Sequence, residues 1–127
     1  MATVVLATGL VAGTNEIAIS LKQTVIIELA QDADGTVVPK IVDQPAPGVP
    51  VVVFQFTKDR SARMLKVENR YDRDFLYSGR MCISKRKVCA KTTFVPVYAG
   101  ISSFETWNDP IDLLILGDFR LEVSKPN

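Results

Sequence analysis

The chain reads as an all-β protein, a two-sheet antiparallel sandwich of about eight to ten short strands in a single domain spanning residues 1–127. Three observations carry that expectation. Apolar residues alternate with polar ones over several runs of four to eight residues. Turn signals built from Gly, Pro, Asn and Asp separate those runs at regular intervals. No run longer than about ten residues places apolar residues at i, i+3, i+4 and i+7 between recognisable caps, so no helix is expected. The chain carries no internal repeat.

Composition bounds the function classes. The 127 residues are 47% apolar and 23% charged, a globular balance that buries about two thirds of the unfolded surface. Net charge is +1, which gives no overall field toward nucleic acid or an anionic membrane. Apolar runs such as Val49 to Phe54 are far too short to span a bilayer. The N-terminal MATVVLATGLVAGT lacks a basic n-region and runs directly into a strand-like segment, so it does not read as a signal peptide. An exported protein without its leader has the same appearance.

Taken in order, Ala2 to Ala7 reads as a first strand, followed by the loosening Gly9 and Gly13. Its apolar side chains favour burial, either within its own chain or as a strand added to a second copy in a homodimer. Glu16 to Lys22 alternates Ile17, Ile19 and Leu21 against Ala18, Ser20 and Lys22, a strand with one buried face. Thr24 to Ala30 and Thr36 to Val42 form a hairpin about the turn Gln31 to Gly35. The DADG within that turn resembles the start of a calcium loop, but the later ligands and closing glutamate are missing, so it reads as a turn. Pro45, Pro47 and Pro50 make Asp43 to Pro50 an extended loop that carries the chain across the end of the sandwich. Val51 to Thr57 is the most hydrophobic strand and is expected at the centre of a sheet, with Ala62 to Asn69 returning beside it, Leu65 and Val67 inward. Arg70 to Asp74 reads as a solvated, charge-alternating loop.

Phe75 to Val97 reads as a hairpin holding both cysteines. Phe75, Tyr77, Gly79, Met81 and Ile83 share one face; Leu76, Ser78, Arg80 and Cys82 share the other. A two-residue loop at Lys85-Arg86 would force φ > 0 on both. A four-residue loop, Ser84 to Lys87, avoids that and suits Ser84 at its first position. Ile83 then faces Val88, and Cys82 faces Cys89 in the close, non-hydrogen-bonded type of pair, near the separation a disulfide needs. The alternatives are two reduced thiols packed as small hydrophobes, or a metal site. Metal fits poorly, because the chain has no histidine and two thiolates do not fill a tetrahedral shell. Beyond the hairpin, Ile101 to Trp107 forms a short strand or covers an edge. Ile111 to Val123 is either two arms about a Gly117-Asp118 turn or one bulged final strand.

The segment from Asn69 through a polar turn to Phe75-Leu76-Tyr77, and the later Phe104-Glu105-x-Trp107-x-x-Pro110-Ile111, resemble small immunoglobulin-like bacterial envelope proteins. The resemblance covers the C-terminal half. The chain departs from antibody domains in that Trp107 follows both cysteines instead of lying between them. What the resemblance implies is an immunoglobulin-like sandwich and a periplasmic or secreted location. It implies no activity.

Without histidine, serine–histidine and cysteine–histidine mechanisms are excluded. The acids Asp72, Asp74, Glu105, Asp109 and Asp112 are the remaining candidates for carboxylate chemistry, most of them on expected loops where nothing raises a pKa. No phosphate-binding glycine motif is present, and no cofactor is expected. The expected function is therefore a non-enzymatic binding or interaction module. Arg80, Lys85, Arg86, Lys87 and Lys91 concentrate positive charge on one hairpin, suited to a polysaccharide, lipopolysaccharide, an acidic protein or, against the near-neutral net charge, a nucleic acid, or merely to keeping a projecting hairpin soluble. Trp107 is a candidate aromatic contact, although a lone Trp in a sandwich more often lids the core. The alternative is a structural subunit of the cell envelope that assembles through its N-terminal strand or its sheet edges.

Overall fold

Alternation along each strand divides the chain between two sheets. The computed structural model describes residues 10–31 and 37–123, so the expected strand Ala2 to Ala7 and most of the Gln31 to Gly35 turn lie outside the described residues. The strands are β1 (Ile17–Ser20), β2 (Thr24–Gln31), β3 (Val37–Val42), β4 (Val52–Asp59), β5 (Ala62–Asn69), β6 (Asp74–Ile83), β7 (Val88–Thr93), β8 (Ser102–Trp107) and β9 (Leu113–Glu122). They form a four-stranded sheet, β1-β9-β6-β7, and a five-stranded sheet, β3-β2-β4-β5-β8, antiparallel throughout. The fold is an all-β, two-sheet sandwich.

The apolar run of β4 occupies the centre of the five-stranded sheet, where Val52, Phe54 and Phe56 are buried. β5 sends Leu65 and Val67 inward beside them. From the four-stranded sheet, Ile17, Ile19, Phe75, Tyr77, Leu114, Leu116 and Phe119 complete the core. The proline run links β3 to β4 within one sheet, passing the end of β2 that lies between them, where a crossing between sheets was expected. β9 is one strand with a bulge: Leu76 pairs with Arg120 but Ser78 with Gly117, and Asp118 takes φ 53°. The bulge turns Phe119 into the core while Asp118 stays outside.

Four polar side chains, Asn69, Tyr71, Asp74 and Arg63, pin the crossings between the sheets. Asn69, at the end of β5, is almost wholly buried. Its Nδ2 donates to the carbonyls of Arg73 (2.8 Å) and Val97 (3.0 Å), and its Oδ1 accepts from the Tyr71 N–H (2.9 Å). Tyr71 is thereby turned into the core, where its hydroxyl accepts from the Leu29 N–H at 2.9 Å. The expectation of a wholly solvated Arg70–Asp74 loop is corrected on this point: an aromatic ring in its middle is worth more buried than hydrated. Asp74 also turns back, its Oδ1 accepting from Ala99 N–H at 3.0 Å. On the other end, buried Arg63 donates from Nε to the Ile111 carbonyl at 2.9 Å, tying the approach to β9 onto β5.

Asn69→Ala strips a buried N–H and two carbonyls of their shared partner, and should cost about 2–3 kcal/mol. Urea denaturation of the variant against the parent checks this; a loss below about 0.5 kcal/mol, the size of an ordinary surface change, would mean that the crossing is held by something else.

Candidate functional site

β6 and β7 pair in the expected register, Ile83 with Val88 and Cys82 with Cys89. The four-residue loop is a short 3-10 turn over Ser84–Arg86, closed by the Lys87 N–H donating to the Ser84 carbonyl at 3.0 Å. Lys87 takes the left-handed conformation, φ 54°, so one basic residue does accept the backbone cost that a two-residue loop would have placed on two. The register brings the cysteine sulfurs to 2.09 Å, disulfide distance, with Cys82 fully buried.

The tip is also held from below. Asp112, in the approach to β9, accepts the Ser84 N–H on Oδ1 at 2.8 Å, and its own N–H donates to the Cys82 carbonyl at 3.1 Å. Through Ile111 the same approach is fastened to Arg63 of the opposite sheet. The base of the hairpin is therefore anchored to both sheets.

The five basic residues do not form one patch. Lys85, Arg86 and Lys87 are exposed together at the tip. Lys91 lies four residues back along β7, about 13 Å for extended chain, beside Arg80 on the outer face of the four-stranded sheet. Arg80 is withdrawn from the candidate set: its Nη1 lies 2.9 Å from Glu16 Oε2, and its Nη2 donates to the Val11 carbonyl at 3.0 Å. The partners are 64 and 69 residues away in sequence, so no local pattern announces this pairing. An open groove of about 760 Å³ runs over the same face between Glu16, Ser78, Lys91, Thr93 and Asp118, with Ser78 Oγ donating to Asp118 Oδ2 at 2.6 Å.

Trp107 is half-buried against the core, edge-on to Phe94 at 6.1 Å. Of the candidate acids, Glu105 lies within β8, not on a loop, and accepts the Val95 N–H at 3.0 Å. It is spatially coupled to Tyr77, whose hydroxyl is pushed well above the ordinary tyrosine range, chiefly by burial and further by the Glu105 carboxylate. That hydroxyl is buried with no hydrogen-bond partner. Among the described residues, no three His, Cys, Asp or Glu side chains cluster as metal ligands would. Comparison with protein-family models, with curated proteins and with solved structures finds no match.

Protein prepared in an oxidising compartment should show no alkylatable thiol by intact mass until reductant is added. Because the bond closes a short loop, reduction should lower stability by no more than about 2–3 kcal/mol. Two alkylated cysteines without reductant would contradict the pairing.

Proposed function

We propose that the protein is a non-enzymatic, extracytoplasmic binding module that meets an anionic surface through the tip Lys85-Arg86-Lys87. The observation that carries this reading is the exposure of all three cations on a tip whose base is tied to both sheets. A rigid presentation lowers the ordering cost that flexible lysines would otherwise bring to a charged contact. The cysteine pair at disulfide distance fits an oxidising, exported location, in line with the immunoglobulin-like resemblance. Sulfated or phosphorylated polysaccharide, including lipopolysaccharide, is the ligand class that such a tip suits, because it offers many anions to a small basic point.

A second reading, assembly through sheet edges, draws on β8. It is an outer strand of its sheet and exposes Phe104, 58% accessible.

Replacing Lys85, Arg86 and Lys87 together by Ser should abolish retention on immobilised heparin or lipopolysaccharide at low salt while leaving the melting temperature within about 2 °C, since the substitutions touch nothing buried. Unchanged retention, or none by the parent protein, would return the tip to a solubility role.

A further inference from the structure

The inner face of the four-stranded sheet runs on past the core. Met81 still packs against the core cluster, and Ile83, Val88 and Ala90 extend the same face along the hairpin, since Ile83 pairs with Val88 and Met81 with Ala90. Val88 keeps 42% of its surface exposed there. Across from them lies the approach to β9, with exposed Asp109 and buried Ile111. Between these two walls is an open, mainly apolar cavity of about 170 Å³.

Both walls are fixed. The cysteine pair ties β6 to β7. Asp112 ties the β9 approach to the hairpin, donating its N–H to the Cys82 carbonyl at 3.1 Å and accepting the Ser84 N–H at 2.8 Å. Ile111 is held through its carbonyl by Arg63, and its own N–H donates to the Asp109 carbonyl at 2.8 Å. The cavity is therefore pre-formed, as small-molecule sites usually are. At about 30 Å³ per methylene-sized group it takes about five or six carbons, the end of a chain and not a whole ligand. The charge at its rim is positive. Lys85 follows Ile83 by two residues and Lys87 directly precedes Val88, so the three exposed cations stand at one end of the cavity. Asp109 offsets one of them, and the Asp112 carboxylate is already engaged by Ser84.

We infer that cavity and tip form one site for an anionic lipid: the end of an acyl chain enters between Val88, Ala90 and Ile111, and a phosphate head meets Lys85, Arg86 and Lys87. This rests on the reading of the tip as an anion contact and deepens it, because among anionic ligands it selects those that carry an acyl chain. Val88 and Ala90, which the core leaves exposed, then serve as the apolar contact of the ligand.

Alkyl phosphates of rising chain length, all monomeric at the concentrations used, test this by calorimetry and by the methyl spectra of Ile83 and Val88. Each methylene that enters the cavity should tighten binding about fourfold, so hexyl phosphate should bind roughly tenfold or more tighter than butyl phosphate, with little further gain at octyl. The Ile83 and Val88 methyl signals should shift with hexyl phosphate and stay in place with inorganic phosphate. Hexanol, which lacks the charge, should bind far more weakly. Ala90→Leu, which fills the cavity from an exposed position, should remove the gain with chain length; the chain-length series on the parent stands without it. Equal affinity for inorganic, butyl and hexyl phosphate, with heparin retention intact, overturns the inference and leaves the tip a contact for charge alone. Hexanol binding as tightly as hexyl phosphate overturns it as well. So does a shift of the Val88 methyls when the free protein is diluted, since a second copy would then be the occupant. Absence of heparin retention with the chain-length gain intact removes polysaccharide as the ligand of the tip and supports the lipid site.

Discussion

A run of aromatic rings lies between the sheets and sets what the rest of the molecule can do. Phe119, Phe75, Tyr77 and Phe94 stack in succession with centroids 5.7, 5.2 and 4.6 Å apart, and Trp107 closes the run edge-on. The opposite sheet enters it through Phe54, which meets Phe75 at 6.0 Å and Tyr77 at 5.8 Å, both edge-to-face. Rings on facing sheets fill the gap that smaller side chains would leave open, and each favourable pair adds about 0.5–1.5 kcal/mol to its burial. The β9 bulge belongs to this arrangement, because it turns Phe119 inward onto Phe75. Tyr77 contributes its ring at the expense of an orphaned hydroxyl, which is tolerable only because the stacking on both of its faces is extensive.

With the sheets held by that core, the loops are fixed by few polar groups. Asn69 organises the crossing into β6, and Arg63 with Asp112 organises the crossing into β9. The second pair has a functional consequence: it extends the rigidity of the sandwich to the base of the β6–β7 hairpin. The exposed Lys85, Arg86 and Lys87 are thus carried on a supported projection, while Arg80, on the same hairpin, is engaged by Glu16 and the Val11 carbonyl.

Strands are most legible where burial alternates throughout, as in β1 and β5. β5 matches its sequence-read span, Ala62 to Asn69, and the hairpin register followed from turn chemistry alone. Less legible was anything set by distant partners. Arg80 looked like its basic neighbours, because Glu16 and Val11 enter only through the tertiary fold. Arg63 and Tyr71 sat in polar stretches whose local pattern gave no sign that a guanidinium and a ring would be drawn inward by backbone partners. The inward placement of Glu105 is not legible in a run that reads either as a short strand or as an edge cover, since a carboxylate on the inner face of β8 breaks the alternation and is accommodated by the Val95 N–H. Gly117-Asp118 admitted both a turn and a bulge, and only the pairing of β9 with one continuous β6 separates them.

The claim that the aromatic run joins the sheets is tested most directly by a double-mutant cycle on Phe54 and Phe75, one ring from each sheet, replaced by Leu singly and together. From urea denaturation of the four proteins, a coupling of about 1 kcal/mol is expected, as for a direct ring pair within a shared core. Losses that add to within about 0.3 kcal/mol would contradict it, and would mean that the sheets cohere through dispersed aliphatic contacts instead.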